Sequence, residues 1–153
     1  MSIVVWRIVK RKYEATAFDG EGASDYGGRW NSPGKRVIYT AGSKSLALLE
    51  QLVHLDSSAL SSYVVIPVTF SDALLSEVDI LLLPPDWKGH PAPVELRDIG
   101  DRWLDSFGSA VLRVPSAIVP DESNYMINPD HPDFSSVEIG ASVPFEIDLR
   151  LLR

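Results

Sequence analysis

Five runs rich in β-branched residues, set against only two segments with helical spacing, constrain the fold of this chain more than any other feature. "IVVWRIV" (3–9), "KRVIYT" (35–40), "YVVIPVTF" (63–70), "AVLRVPSAI" (110–118) and "SVPFEIDLRLL" (142–152) alternate or run on as strands do. Ser43 or Ser45 can cap a helix over "LALLEQLVHL". "VELRDIGDRWLDSF" spaces Leu96, Ile99, Trp103 and Phe107 by three or four, then meets Gly108 as a stop. "LLLPPDWKGHPAPV" (81–94) and "NPDHPDF" (128–134) hold too much Pro, Asp and Gly for regular structure. Strands mixed irregularly with two helices predict an α+β fold rather than a doubly wound sheet. The 153 residues suffice for one domain, spanning 1–153, with a sizeable core.

Charge and composition then exclude function classes. Lys and Arg number 14 against 21 Asp and Glu, a balance that repels nucleic acid and anionic membranes, so no direct nucleic acid binding is expected. The distribution is uneven: residues 1–44 hold 8 basic and 4 acidic residues, and residues 45–153 carry a net −11. A basic N-terminal quarter permits a small-anion site, and equally a solvated basic strand. Cysteine is absent, which removes disulfides and thiol nucleophiles and fits a reducing cytosol. In "MSIVVWRIVKRKYE" the apolar run precedes the basic residues, the reverse of a secretory signal, and no apolar run reaches the roughly 18 residues of a membrane span. A soluble, cytoplasmic protein is expected.

Familiar catalytic patterns are missing. His54, His90 and His131 lie in separate segments, and "EQLVH" lacks the spacing of a zinc-protease helix, so no metal is expected. No Gly-x-Ser-x-Gly elbow surrounds any serine. "GEGASDYGG" lacks the Lys-Ser/Thr ending of a phosphate loop and reads as a flexible loop. On the first helix, Leu46, Leu48, Leu49, Leu52, Val53 and Leu55 cover one half of the wheel, and Ala47, Glu50, Gln51 and His54 cover the other. Glu50 stands at the seam beside Leu46, where it can face a cleft or simply solvent.

What remains is Arg29 after a Gly-Gly turn, Tyr39 on a strand, the seam carboxylate of Glu50 and the "PSA" turn after another strand. Such a set suits cleavage of a bond whose leaving group is already good. Nicotinamide in NAD is cationic while attached and neutral once released, so one carboxylate suffices where an ordinary glycoside needs two. The carboxylate holds the ribose hydroxyls and the growing positive charge, an arginine forks onto a phosphate, and a tyrosine stacks on a ring. Spacing alone makes this arrangement possible and leaves the others open.

The blocks "GGRWNSPG", "VIYTAGSKSLALLE" and "RVPSAIVPDESNYMINPDHP" occur in order over about residues 6–134 and resemble the RES-domain family. That resemblance implies a toxin of a bacterial toxin–antitoxin pair, with a fold related to the ADP-ribosyltransferase toxins. It implies degradation of NAD as substrate, with no cofactor, by hydrolysis or with phosphate as co-substrate, and an Xre-type antitoxin that covers the active-site cleft. The family's arginine, tyrosine, glutamate and serine correspond to Arg29, Tyr39, Glu50 and Ser116 as catalytic residues. Asn31 and Asn124 lie inside the matched blocks as substrate-binding candidates, although an asparagine in a turn commonly bonds the backbone. Trp6 and Trp30 are expected in the core. Two alternatives stand beside this reading: ADP-ribose transfer to a protein, and a catalytically silent module that only docks a partner.

Overall fold

The structure, a computed structural model, describes residues 1–54 and 62–152. Strands β1 (Ser2–Lys10), β2 (Ile38–Ala41), β3 (Tyr63–Ser71), β4 (Leu75–Glu77), β5 (Val111–Pro115), β6 (Ser123–Ile127), β7 (Glu138–Ile139) and β8 (Val143–Phe145) form one sheet. Its order is β4-β5-β6-β2-β1-β3-β7, with β8 also pairing β3. Only the edge pair β4–β5 among these ladders is parallel. The helices are α1 (Glu21–Tyr26), α2 (Lys44–Leu52) and α3 (Val94–Ser106), with short 3-10 turns between. The expected α+β class holds.

Period-two alternation sorts the strand residues onto two faces. Val5, Ile38, Val68, Phe70, Val111, Tyr125 and Ile127 form one cluster on the first face. On the other, Leu96, Trp103 and Leu104 of α3 meet Leu112, Val114 and Met126 of β5 and β6. Leu46 and Ala47 of α2 meet Ile8, Ala41, Tyr63 and Val65 of β1, β2 and β3. The two longer helices therefore cover neighbouring parts of one face, and Tyr39 and Asn124 belong to it: their Cα partners are Met126 and Ala41. The central ladder is uneven. β1 and β3 pair along their whole length, Ser2 with Ser71 through Lys10 with Tyr63, whereas β1 and β2 share the single pair Trp6 with Ala41.

Several elements differ from the sequence reading, each for a local reason. Ser43, not Ser45, caps α2: its extended backbone lets Oγ accept from the Leu46 N–H at 3.1 Å. The buried stripe of α2 is turned relative to the wheel, since Ala47 is buried while Leu49 and Val53 are exposed; Leu55 lies outside the described residues. α3 ends one residue earlier than expected, because Phe107 takes the left-handed conformation (φ 53°) and turns half-exposed into solvent. "GEGASDYGG" contains α1 rather than a flexible loop. The last expected strand shortens to Val143–Phe145, followed by a 3-10 turn at Leu149–Leu152, and 3-10 turns also occupy Ile80–Leu82 and Pro132–Ser136. The sequence reading omitted β6, whose "SNYMI" has only one β-branched residue. It is a strand because β2 and β5 pair it on both sides.

Candidate active site

Arg29 sits at the tip of a hairpin turn. The Gly28 N–H donates to the Asn31 carbonyl at 2.9 Å, which leaves Arg29 and Trp30 as the two turn residues. Trp30 faces inward and is 2% exposed, so the turn cannot rotate without emptying the core. Gly28 has no room for a side chain: a Cβ there stands 2.8 Å from both Asn31 Oδ1 and the Tyr39 hydroxyl. α3 grips the same turn from beside it. Arg97 Nε donates to the Gly28 carbonyl at 3.1 Å, and Asp101 accepts from the Ser32 N–H at 2.9 Å and its hydroxyl at 2.6 Å.

Tyr39 latches this turn to the sheet. Its hydroxyl donates to Asn31 Oδ1 at 2.5 Å and accepts from the Trp30 N–H at 3.2 Å. Burial, chiefly, pushes its phenol well above the usual tyrosine range, so it stays protonated. Asn31 is fully buried, and its Nδ2 donates to the Ala23, Ser32 and Lys35 carbonyls. Both ends of that amide are thus engaged by the protein, which makes Asn31 a brace of the turn. The Arg29 guanidinium is half-buried, and its Nη1 donates to the Trp87 and Gly89 carbonyls at 3.0 and 2.9 Å. Among the described residues its Nε and Nη2 make no bond, which leaves one planar edge with two N–H vectors for a ligand.

A second constellation centres on Glu50. The Ser116 hydroxyl donates to Glu50 Oε1 at 3.0 Å, and Asn124 Nδ2 donates to the same oxygen at 2.9 Å. Ser116 is fully buried, and its Oγ accepts from the Ile118 and Val119 N–H groups, both at 3.1 Å. With both lone-pair directions taken by N–H donors, its proton can point only at Glu50. Ser116 is therefore a carboxylate orienter, held by the tight turn that follows β5. Glu50 Oε2 makes no bond to the described residues.

Among the described residues no hydrogen bond joins the two constellations; the ladder of β2 on β6 does. Tyr39 pairs Met126 and Ala41 pairs Asn124, so the two centres stand two strand residues apart, roughly 7 Å of backbone. The sequence reading missed Arg7. Where β1 and β2 part after their single pair, Arg7 Nη1 donates to the Tyr39 carbonyl at 2.8 Å and Nε to the Ala17 carbonyl at 2.7 Å. It keeps some exposed surface, yet burial of its guanidinium is the main effect and pushes its pKa down to about 10, opposed by Asp19, so it stays charged at neutral pH. An arginine in the middle of the apolar run "VVWRIV" was the signal for it. Arg97 and Asp101, the helix residues that grip the turn, carried no comparable signal.

Among the described residues no histidine bonds Arg29, Tyr39, Glu50 or Ser116. His131 caps a 3-10 turn by accepting from the Asp133 N–H, and His54 and His90 are exposed. Among the described residues no three His, Asp or Glu side chains are grouped to hold a metal, and no helix is long and apolar enough to cross a membrane. Two surface cavities of about 220 and 280 Å³ are lined by ion pairs, Lys35 with Asp105 and Arg113 with Glu77, and neither includes Arg29, Tyr39, Glu50 or Ser116. The chemistry of paired, oriented groups, not cavity size, marks the site.

Known proteins match over nearly the whole chain. The family described as RES domain matches residues 4–148. The "Toxin Res" of Yersinia enterocolitica is 43% identical over 135 residues, covering 88% of this chain and 89% of that protein. The "Prs ADP-ribosylating toxin" of Sphingobium sp. is 36% identical and covers 100% of this chain and 99% of its own length. Among solved structures, the crystal structure of the M. tuberculosis MbcT-MbcA toxin-antitoxin complex aligns with a TM-score of 0.77 at 18% identity, over 95% of this chain and 85% of that one. That last likeness is one of fold.

Proposed function

The chain belongs to the RES-domain family, and we propose that it is the toxin of a toxin–antitoxin pair, a single RES-type domain that cleaves the nicotinamide–ribose bond of NAD. The carrying observation is the Glu50 carboxylate, with one oxygen fixed by Ser116 and Asn124 and the other making no bond to the described residues. A carboxylate so held needs no reorganisation when the ribose becomes cationic, and stabilises that charge more in the transition state than in the ground state. Nicotinamide leaves with the bonding electron pair and becomes neutral, so the site needs no acid for it. Water then adds to the sugar carbon and loses a proton, giving ADP-ribose; phosphate adds at the same carbon and gives the sugar phosphate.

The free Nε/Nη2 edge of Arg29 fits the pyrophosphate, since a planar fork matches phosphate oxygens two at a time. The Tyr39 ring offers a stacking face while its hydroxyl stays in the latch. Incubating the purified protein with NAD, with and without phosphate, and identifying products tests the reading. ADP-ribose or its phosphate, with free nicotinamide, is expected. Absence of nicotinamide under both conditions sinks it and leaves a silent docking module.

A second reading has one observation in its favour, the relative described as an ADP-ribosylating toxin. The same site then passes ADP-ribose to a protein side chain, and a label on the ribose appears in protein rather than in small products. The partner follows from the toxin role. The solved neighbour is a toxin-antitoxin complex, and we infer an Xre-type antitoxin that covers the cleft and keeps the cytoplasmic NAD pool intact.

A further inference from the structure

Asn124 has one engaged end and one stranded end. Its Nδ2 donates to Glu50 Oε1 at 2.9 Å, while its Oδ1 is sealed from solvent and meets no donor among the described residues. A half-turn of the amide offers no relief, because it sets Oδ1 against a carboxylate oxygen, acceptor against acceptor. The backbone cannot shift either: the Cα is paired with Ala41 on one side and with Val114 on the other, in the interior of the sheet. Asn31 is the internal contrast, with hydrogen bonds at both ends of its amide. The Tyr63 hydroxyl also meets no partner among the described residues, but its ring packs in the core and accounts for that residue without the hydroxyl.

A buried polar atom without a partner is disfavoured, and its retention asks for a reason. We propose that Asn124 is a positioning residue: it acts on catalysis only by orienting Glu50, touches no substrate, and holds its orientation at a cost in stability from its own stranded oxygen. This rests on the reading of Glu50 as the carboxylate that faces the ribose. The sealed Oδ1 has no surface to offer a ligand, and Nδ2 gives one of its two hydrogens to Glu50. The sequence had placed Asn124 among substrate-binding candidates; the geometry assigns it to the carboxylate instead.

The test measures kcat, KM and Tm of Asn124→Ala, alone and combined with Glu50→Gln. Alanine removes donor and stranded acceptor together. Expected are a fall in kcat of about 10- to 100-fold, as for a lost hydrogen bond to a charged group, a KM within about 3-fold, and a Tm at or above wild type. In the Glu50→Gln background the same change is expected to cost nothing further, since its route of action is gone. Unchanged kcat, a Tm several degrees below wild type, or an equal further loss in the Gln background overturns the proposal. Asn124→Asp keeps the shape and replaces the donor by an acceptor; it must lose at least as much kcat as alanine, and full activity also overturns it. If wild type releases no nicotinamide, the NAD reading fails separately, and the alanine melt still decides between a stranded oxygen and an ordinary structural asparagine.

Discussion

Tyr39 combines a ring and a latch that one substitution separates. Tyr39→Phe keeps the stacking face and removes the hydroxyl that joins Asn31 to Trp30. A loss of about 1–3 kcal/mol in stability is expected for the stranded partners, with a matching drop in kcat/KM because the Arg29 turn loosens. Wild-type kcat/KM and Tm in the Phe variant would show that only the ring matters. The phenol also gives a pH signature. In the unfolded chain it ionises near its ordinary value of 10, whereas in the fold burial keeps it protonated. The folded state then holds the extra proton, so this contribution is complete below about pH 10 and is lost as pH rises beyond it. Melting curves between about pH 9 and 11 should therefore fall less steeply in Tyr39→Phe than in wild type. Arg29 tests the fork. Arg29→Lys keeps the charge but not the bidentate edge, and kcat/KM is expected to drop by about 10-fold or more with little change in Tm. Equal kinetics in the lysine variant would remove the fork from the account.

At the scale of elements, α3 is the clamp that sets the Arg29 turn. Gly100 is the close approach that permits it: a Cβ at that position falls 1.6 Å from the Trp30 carbonyl oxygen. Gly100→Ala is expected to cost about 1–3 kcal/mol or more by forcing helix and turn apart, a fall in Tm on the order of 5 °C for a chain of this size. Activity should fall with it, and a melt unchanged from wild type would show that α3 does not hold the turn. The clamp also explains what the sequence did and did not disclose. β1, β3 and α3 were legible because their apolar spacing is dictated by local burial. β6 was not, since "SNYMI" owes its strand to β2 and β5 on either side. The grip of Arg97 and Asp101 on the turn crosses about seventy residues of sequence, a distance no local pattern encodes. Motif blocks carried Arg29, Tyr39, Glu50 and Ser116 into view, but not that Ser116 donates only to Glu50 or that Tyr39 is latched.

At the scale of the whole molecule, the proposed NAD-consuming activity requires that a cell be protected from it, and the charge distribution suggests what kind of partner fits. Residues 45–153 carry a net −11, so the antitoxin surface is expected to be basic, with association that slows as salt rises. Co-expression of the cognate antitoxin should restore growth and the NAD level together; growth restored while NAD remains depleted would separate toxicity from NAD loss and contradict the proposal. One charge carries the proposed chemistry. Glu50→Gln keeps size and helix propensity, so its melt should match wild type. The decisive measurement is the rate of nicotinamide release from NAD by wild type and by Glu50→Gln, each beside its melting curve. A fall of roughly a hundred- to a thousand-fold in kcat at unchanged Tm is the expected result, and nicotinamide release at the wild-type rate by the glutamine variant would contradict it.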